Sequence, residues 1–73
     1  MKKPYTMLIE WSEEDQIYIV TLPEFGEFVK THGSTYIEAV QNGEEVLEMI
    51  LEDLERENLP APRPQHYRLE TAA

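Results

Sequence analysis

The amino-acid sequence predicts an α+β domain: a small antiparallel sheet of three to four strands with one helix packed on one face. In the first half of the chain, short runs of alternating or β-branched residues are separated by turn-forming residues, a pattern typical of strands. A longer segment then carries apolar residues at steps of three and four, which indicates an amphipathic helix. At 73 residues, the chain has the size of one small domain, so we expect a single domain over residues 1–73.

The first two strands are predicted to form a hairpin. The segment Tyr5–Trp11 alternates between two faces, and Ile17–Leu22 is rich in β-branched and aromatic residues. The polar, acidic stretch Ser12–Gln16 between them is turn-like. Both faces of the sheet are expected to carry large apolar groups. Counting alternate residues along the strands predicts that Leu8, Tyr18, Val20 and Leu22 share one face, opposite much of the rest of the strands.

Two further strands complete the predicted sheet. Pro23 ends the second strand because proline cannot donate to a ladder. Phe28–His32 is the third strand candidate, closed by Gly33. Short connections favour an antiparallel meander. After the helix, the stiff segment Leu59–Pro64 leads to a last strand candidate at His66–Glu70.

The helix is predicted from Thr35 to about Glu57. Thr35 and Glu38 match a capping box. Gly43 lies within the apolar stripe, where it permits close approach to the sheet at a cost of roughly 1 kcal/mol relative to alanine. Asn58 suits the left-handed conformation that commonly follows the last turn of a helix.

Composition excludes several classes of function. Fifteen acidic residues stand against six basic ones, for a net charge of −9, which argues against binding nucleic acid or anionic membranes. No apolar run approaches the roughly 18 residues of a membrane span, and no apolar stretch follows the basic N-terminus as in a signal peptide. The absence of cysteine excludes disulfides and thiolate chemistry, and we expect a cytoplasmic protein.

Carboxylates and histidines are the candidates for catalysis or metal binding. Glu10 and Glu13–Asp15 carry the oxygen ligands that Mg²⁺ prefers, which leaves a metal-dependent nuclease as a distant alternative. Three of these four residues lie in one turn, however, so a solvated hairpin loop is favoured. His32 is expected to tie the third strand to the helix by a hydrogen bond, and His66 lies in no catalytic motif. We therefore predict no catalytic residue, no metal and no cofactor.

Four glutamates are predicted to follow one side of the helix and are called the acidic row: Glu44, Glu48, Glu52 and Glu55. Like charges four residues apart cost roughly 0.2–0.5 kcal/mol per pair, and only Glu52 is expected to be compensated, by Arg56. The row is either an ordinary solvated face or a docking surface for a basic partner.

Trp11 and Tyr18 are the candidate aromatic anchors of an interface. The alternative is that both residues pack in the core or in a dimer contact. One helix shields one face of a sheet, so we expect a homodimer that covers the other. The acidic surfaces should point away from that contact, and salt should then tighten the dimer.

A set of residues spread over nearly the whole chain has an order and spacing found in one known family. The set comprises Tyr5, Ile9–Trp11, Asp15, Tyr18, Leu22–Glu24, Gly26, Thr31–Thr35, Glu38, Ala39, Asn42, Pro60, Pro62 and Arg63. In this order the chain resembles the HicB-like antitoxin family of type II toxin–antitoxin systems.

The resemblance implies a β-β-β-α-β domain, described as a partial ribonuclease-H-like fold. It also implies a partner, a small basic HicA-like ribonuclease toxin whose active-site histidine the antitoxin covers. Larger members add a DNA-binding module of ribbon-helix-helix or helix-turn-helix type that represses their operon. This chain departs from the family in the loop Pro23–Glu27, which lacks the cysteine common after the glycine. Because the sequence ends at Ala73, we expect no DNA-binding module.

Two functions follow as hypotheses. The first is a non-catalytic protein-binding module that neutralises a small basic ribonuclease toxin. The second is a homo-oligomeric structural or regulatory domain without a toxin partner.

Overall fold

The computed structural model describes residues 4–65 and confirms the α+β class and the β-β-β-α order. The three strands form one antiparallel sheet in the order β1-β2-β3. Among residues 4–65, no helix has the length and apolar character needed to span a membrane. The predicted strand His66–Glu70 lies outside the described residues. The elements are β1 (Leu8–Ser12), β2 (Ile17–Thr21), a 3-10 turn (Pro23–Phe25), β3 (Lys30–Gly33) and α1 (Tyr36–Arg56).

The outer strands are shorter than side-chain alternation predicts, because neighbouring backbone groups bond elsewhere. The Thr6 amide donates to both carboxylate oxygens of Glu24, at 3.1 and 3.0 Å, rather than to a strand. The Val29 amide donates to the Gly26 carbonyl at 3.3 Å and closes a turn. β1 therefore begins at Leu8 rather than Tyr5, and β3 begins at Lys30 rather than Phe28.

The strand register corrects the predicted division of the sheet into two faces. Val20 pairs with Ile9, and Tyr18 pairs with Trp11. Directly opposed residues share a face, so these four residues lie together on the face that α1 covers, and Leu22 is buried in the core. The grouping of Tyr18, Val20 and Leu22 with Leu8 was wrong, because parity counted along separate strands does not include the register that the turn sets.

Two glycines let α1 lie close to the sheet. A Cβ on Gly33 would be 2.4 Å from the backbone nitrogen of Ala39. A Cβ on Gly43 would be 2.8 Å from the Met7 sulfur and 3.1 Å from Val20 Cγ1. The predicted role of Gly43 is thereby confirmed, and Gly33 makes the tighter of the two approaches.

Both ends of α1 are capped by the residues that the sequence indicates. The Thr35 hydroxyl accepts from the Glu38 amide at 3.0 Å, while the Glu38 carboxylate accepts from the Ser34 amide at 2.7 Å. At the other end, Asn58 has φ 58°, and the Leu59 amide donates to the Leu54 carbonyl. This pattern is a Schellman motif, so the helix ends where the sequence predicts.

Glu24 joins three segments that are distant in sequence. Its carboxylate accepts from the Thr6 hydroxyl at 2.9 Å and from the Gln65 amide at 2.9 Å, besides the Thr6 amide. Beside it, the Tyr5 hydroxyl donates to the Pro62 carbonyl at 2.7 Å. Partial burial acts to raise the pKa of the Glu24 carboxyl, but the hydrogen bonds from Gln65 and Thr6 together hold that pKa below its ordinary value.

Gly33→Ala is expected to lower the free energy of unfolding by about 1–3 kcal/mol, because the new methyl group must displace the Ala39 backbone. Gly43→Ala is the matched control. Its methyl group meets the flexible end of Met7, and alanine recovers about 1 kcal/mol of helix propensity. Urea denaturation followed by circular dichroism measures both variants. A loss at Gly33 no larger than that at Gly43 would contradict the close approach.

Glu24→Gln is expected to lower the free energy of unfolding at pH 7 by about 1 kcal/mol, because the new amide group opposes N–H donors. A carboxyl whose pKa is lowered on folding stabilises the protein above its unfolded pKa, and that contribution disappears as the pH falls through the folded pKa. The difference in free energy of unfolding between the parent chain and Glu24→Gln should therefore be constant near neutrality. It should become smaller below a pH of about 4.5. Glu27→Gln, in the exposed turn that follows, is the control, and a difference that does not change with pH would contradict this account.

Candidate protein-binding surface

The acidic row lies on the solvent side of α1, as predicted. Ala39 and Gly43 face the sheet, so all four glutamates of the row are exposed. The predicted Glu52–Arg56 pair was wrong: Arg56 Nη1 donates to Asp53 Oδ1 at 2.8 Å. This is the one ion pair within residues 4–65, so the acidic row has no basic partner there.

Trp11 and Tyr18 belong to a ladder of three aromatic rings. The centroids of Trp11 and Tyr18 are 5.0 Å apart in an edge-on arrangement, and those of Tyr18 and Tyr36 are 4.3 Å apart and stacked. The ladder links β1, β2 and the first turn of α1. Tyr18, in the middle, is half-buried, whereas Trp11 is 47% exposed and its indole Nε1 donates to Glu13 at 2.8 Å. Of the two predicted anchors, Trp11 therefore offers more surface to a partner.

Three exposed residues form an apolar cluster at the start of α1: Tyr36, Ile37 and Val40. The helical spacing predicts that Tyr36 and Val40 belong to the apolar stripe that shields the sheet, whereas Ile37 was not singled out. Tyr36 is 62% exposed and Ile37 is 72% exposed. With Gln41, the cluster lines an open pocket of about 240 Å³. An available signal was Ile37 itself, an isoleucine outside the apolar stripe of the helix.

The apolar cluster and the acidic row lie on the same side of α1. Ile37, Glu44, Glu48 and Glu55 are separated by seven, four and seven residues, and each of these steps is close to a whole number of helical turns. The surface therefore runs from exposed apolar groups at the start of the helix to exposed carboxylates along its length. We refer to the cluster and the row together as the docking surface.

The other candidate groups are not brought together. Glu10 lies on the sheet face opposite α1, because it pairs with Ile19 and not with a residue of the helix side. Within residues 4–65, no group of three or more histidine or carboxylate side chains is placed to hold a metal ion. At His32 a hydrogen bond does link β3 to α1, but it involves the backbone and not the imidazole: the His32 carbonyl accepts from the Asn42 side-chain amide at 2.7 Å. His66 lies outside the described residues.

Comparison with known proteins supplies no relative. No family model, no curated protein and no solved structure matches this chain. The resemblance to HicB-like antitoxins therefore stays a prediction from residue order, and function is argued from the docking surface.

Proposed function

We propose that this chain is a non-catalytic, cytoplasmic protein-binding module of the HicB-like antitoxin type, which binds a small basic ribonuclease toxin and covers its active site. The observation that carries the proposal is the docking surface. An exposed apolar cluster there adjoins an acidic row that has no basic partner within residues 4–65.

The apolar cluster is suited to supply affinity. Burying a large aliphatic side chain is worth about 1.5–3 kcal/mol relative to leaving it exposed, and Ile37 is 72% exposed in the free chain. Tyr36 adds an aromatic group that is already held by stacking on Tyr18, so little side-chain entropy is lost when a partner covers it. These are the properties of an interface centre surrounded by polar groups.

The acidic row is suited to supply speed and selectivity. Complementary charge raises the rate at which a basic partner arrives, and it disfavours acidic partners. The like-charge pairs Glu44–Glu48 and Glu48–Glu52 are unfavourable in the free helix, and a basic partner would relieve that repulsion. If the row were only a solvated face, nothing would offset this repulsion. The repulsion therefore favours a docking surface over an ordinary solvated face.

The same charges suggest how a ribonuclease is inhibited. An enzyme that binds RNA presents basic groups to phosphates. A row of exposed carboxylates competes for those groups, while the apolar cluster holds the two proteins together. Inhibition would then follow from occupation of the substrate site, with no chemical step by this chain.

A second candidate is a homo-oligomeric structural or regulatory domain without a toxin partner. It is favoured by the sheet face opposite α1, where Leu8 is 47% exposed and Ile17 and Ile19 are only half-buried. A gene for a small basic protein beside this one would favour the first candidate. A stable oligomer with no bound partner would favour the second.

Co-expression with a small basic protein encoded beside this chain is the direct test of the antitoxin proposal. We expect relief of growth inhibition and co-purification of the two proteins, because the docking surface would cover the active site. Expression of the neighbour alone is the control. Continued growth inhibition together with failure to co-purify would contradict the proposal.

Glu48→Lys is expected to weaken binding to that protein at least tenfold, because it places a cation in the middle of the acidic row. The same change should raise the free energy of unfolding by a few tenths of a kcal/mol, since two like-charge pairs become opposite pairs. Isothermal titration calorimetry and urea denaturation measure the two effects. Glu45→Lys, an equal change of charge outside the row, is the matched control, and equal binding by both variants would exclude the row as the contact.

Ile37→Ser is expected to reduce affinity for the same protein about tenfold while leaving the unfolding midpoint nearly unchanged, because the isoleucine side chain is mostly in solvent in the free chain. Met49→Ser, at another exposed apolar position of α1, is the control and should bind as the parent chain does. Undiminished binding by Ile37→Ser would remove the apolar cluster from the interface.

A further inference from the structure

The sheet face opposite α1, which we call the open face, carries an apolar centre. Its central strand presents Ile17 and Ile19, both half-buried, and β1 adds Leu8. No helix or strand within residues 4–65 packs on this face.

Charge on the open face is divided between its two outer strands. Glu10 on β1 and His32 on β3 lie on either side of Ile19 in one cross-strand row. In the next row on this face, Lys30 of β3 pairs with Thr21, and its Nζ donates to the Thr21 hydroxyl at 3.1 Å. The open face thus has the Glu10 carboxylate on β1, two isoleucines on β2, and the Lys30 ammonium beside the His32 ring on β3.

Two identical faces can pack through a two-fold axis in only a few ways. An axis perpendicular to the strands would place β1 over β1, with Glu10 against Glu10. An axis parallel to the strands instead places β1 of each copy over β3 of the other, so that each Glu10 lies near a second copy's His32 and Lys30. Charge complementarity selects the second arrangement.

We propose that the open face is a self-association surface, on which two copies of this chain pack with their strands running in the same direction and β1 over β3. The inference takes only self-association from the second candidate above, names its face and geometry, and is compatible with a partner bound to α1. Because α1 lies on the far side of each sheet, both docking surfaces remain exposed, and such a dimer would carry one basic partner on each copy.

The size of the open face sets the strength of the contact. Three strands about 4.8 Å apart and about 17 Å long cover about 250 Å², well below the roughly 800 Å² per partner of a standard interface. The dimer is therefore expected to be weak and reversible, in the class of transient contacts. Each chain carries −9, so screening by salt tightens it.

Sedimentation equilibrium of the full chain, from micromolar to millimolar concentration, tests the proposal. Glu10→Lys and Glu45→Lys both change the net charge from −9 to −7, so overall repulsion alone predicts that both tighten the dimer. The proposed geometry predicts that Glu45→Lys tightens it and that Glu10→Lys weakens it at least fivefold. Lys30→Glu should also weaken it, and the double variant Glu10→Lys/Lys30→Glu should return to within about threefold of the parent.

Each alternative outcome overturns a defined part of the proposal. A parent chain that stays monomeric to millimolar concentration at high salt refutes self-association and leaves the toxin proposal untouched. If Glu10→Lys tightens the dimer as Glu45→Lys does, the β1-over-β3 arrangement is refuted. Ile19→Thr keeps a β-branched residue in the central strand and removes apolar contact, so an unweakened dimer refutes the open face. Circular dichroism verifies that each variant is folded.

Discussion

The close approach of α1 to the sheet at Gly33 and Gly43 is the constraint on which the rest of the structure depends. A side chain at Gly33 would collide with the Ala39 backbone, so the helix rests directly on β3 and β2. This contact determines the rotation of α1 about its axis. With Ala39 and Gly43 turned inward, Tyr36 stacks on Tyr18, and the acidic row faces solvent.

A helix with so many carboxylates that have no basic partner within residues 4–65 is stable because its stability does not depend on surface pairs. Most helical stability in proteins comes from packing of the apolar side, and the Thr35 cap and the Schellman motif at Asn58 satisfy backbone groups at both ends. The repulsion within the row is a few tenths of a kcal/mol per pair, which these terms exceed. The carboxylates on the outer side of α1 therefore stay exposed to solvent without unfolding the helix.

The small size of the domain explains why so much apolar surface stays in contact with water. A chain of this length buries only about 60% of the surface that it exposes when unfolded, and within residues 4–65 the fully buried side chains of the core are few, led by Leu22 and Val20. Polar ties such as those of Glu24 hold the end segments. The apolar cluster on α1 and the centre of the open face therefore stay partly exposed.

The sequence alone determined the features that depend on local spacing: the hairpin, the cap at Thr35, the helix end at Asn58 and the common side of the acidic row. Tertiary structure decided what depends on register or on distant partners. The face of Tyr18 and Val20 follows from strand pairing, and Arg56 selects Asp53 over Glu52 although both are within reach along the helix. The division of charge between the outer strands of the open face arises only when three separate strands are aligned, which no spacing along the chain encodes.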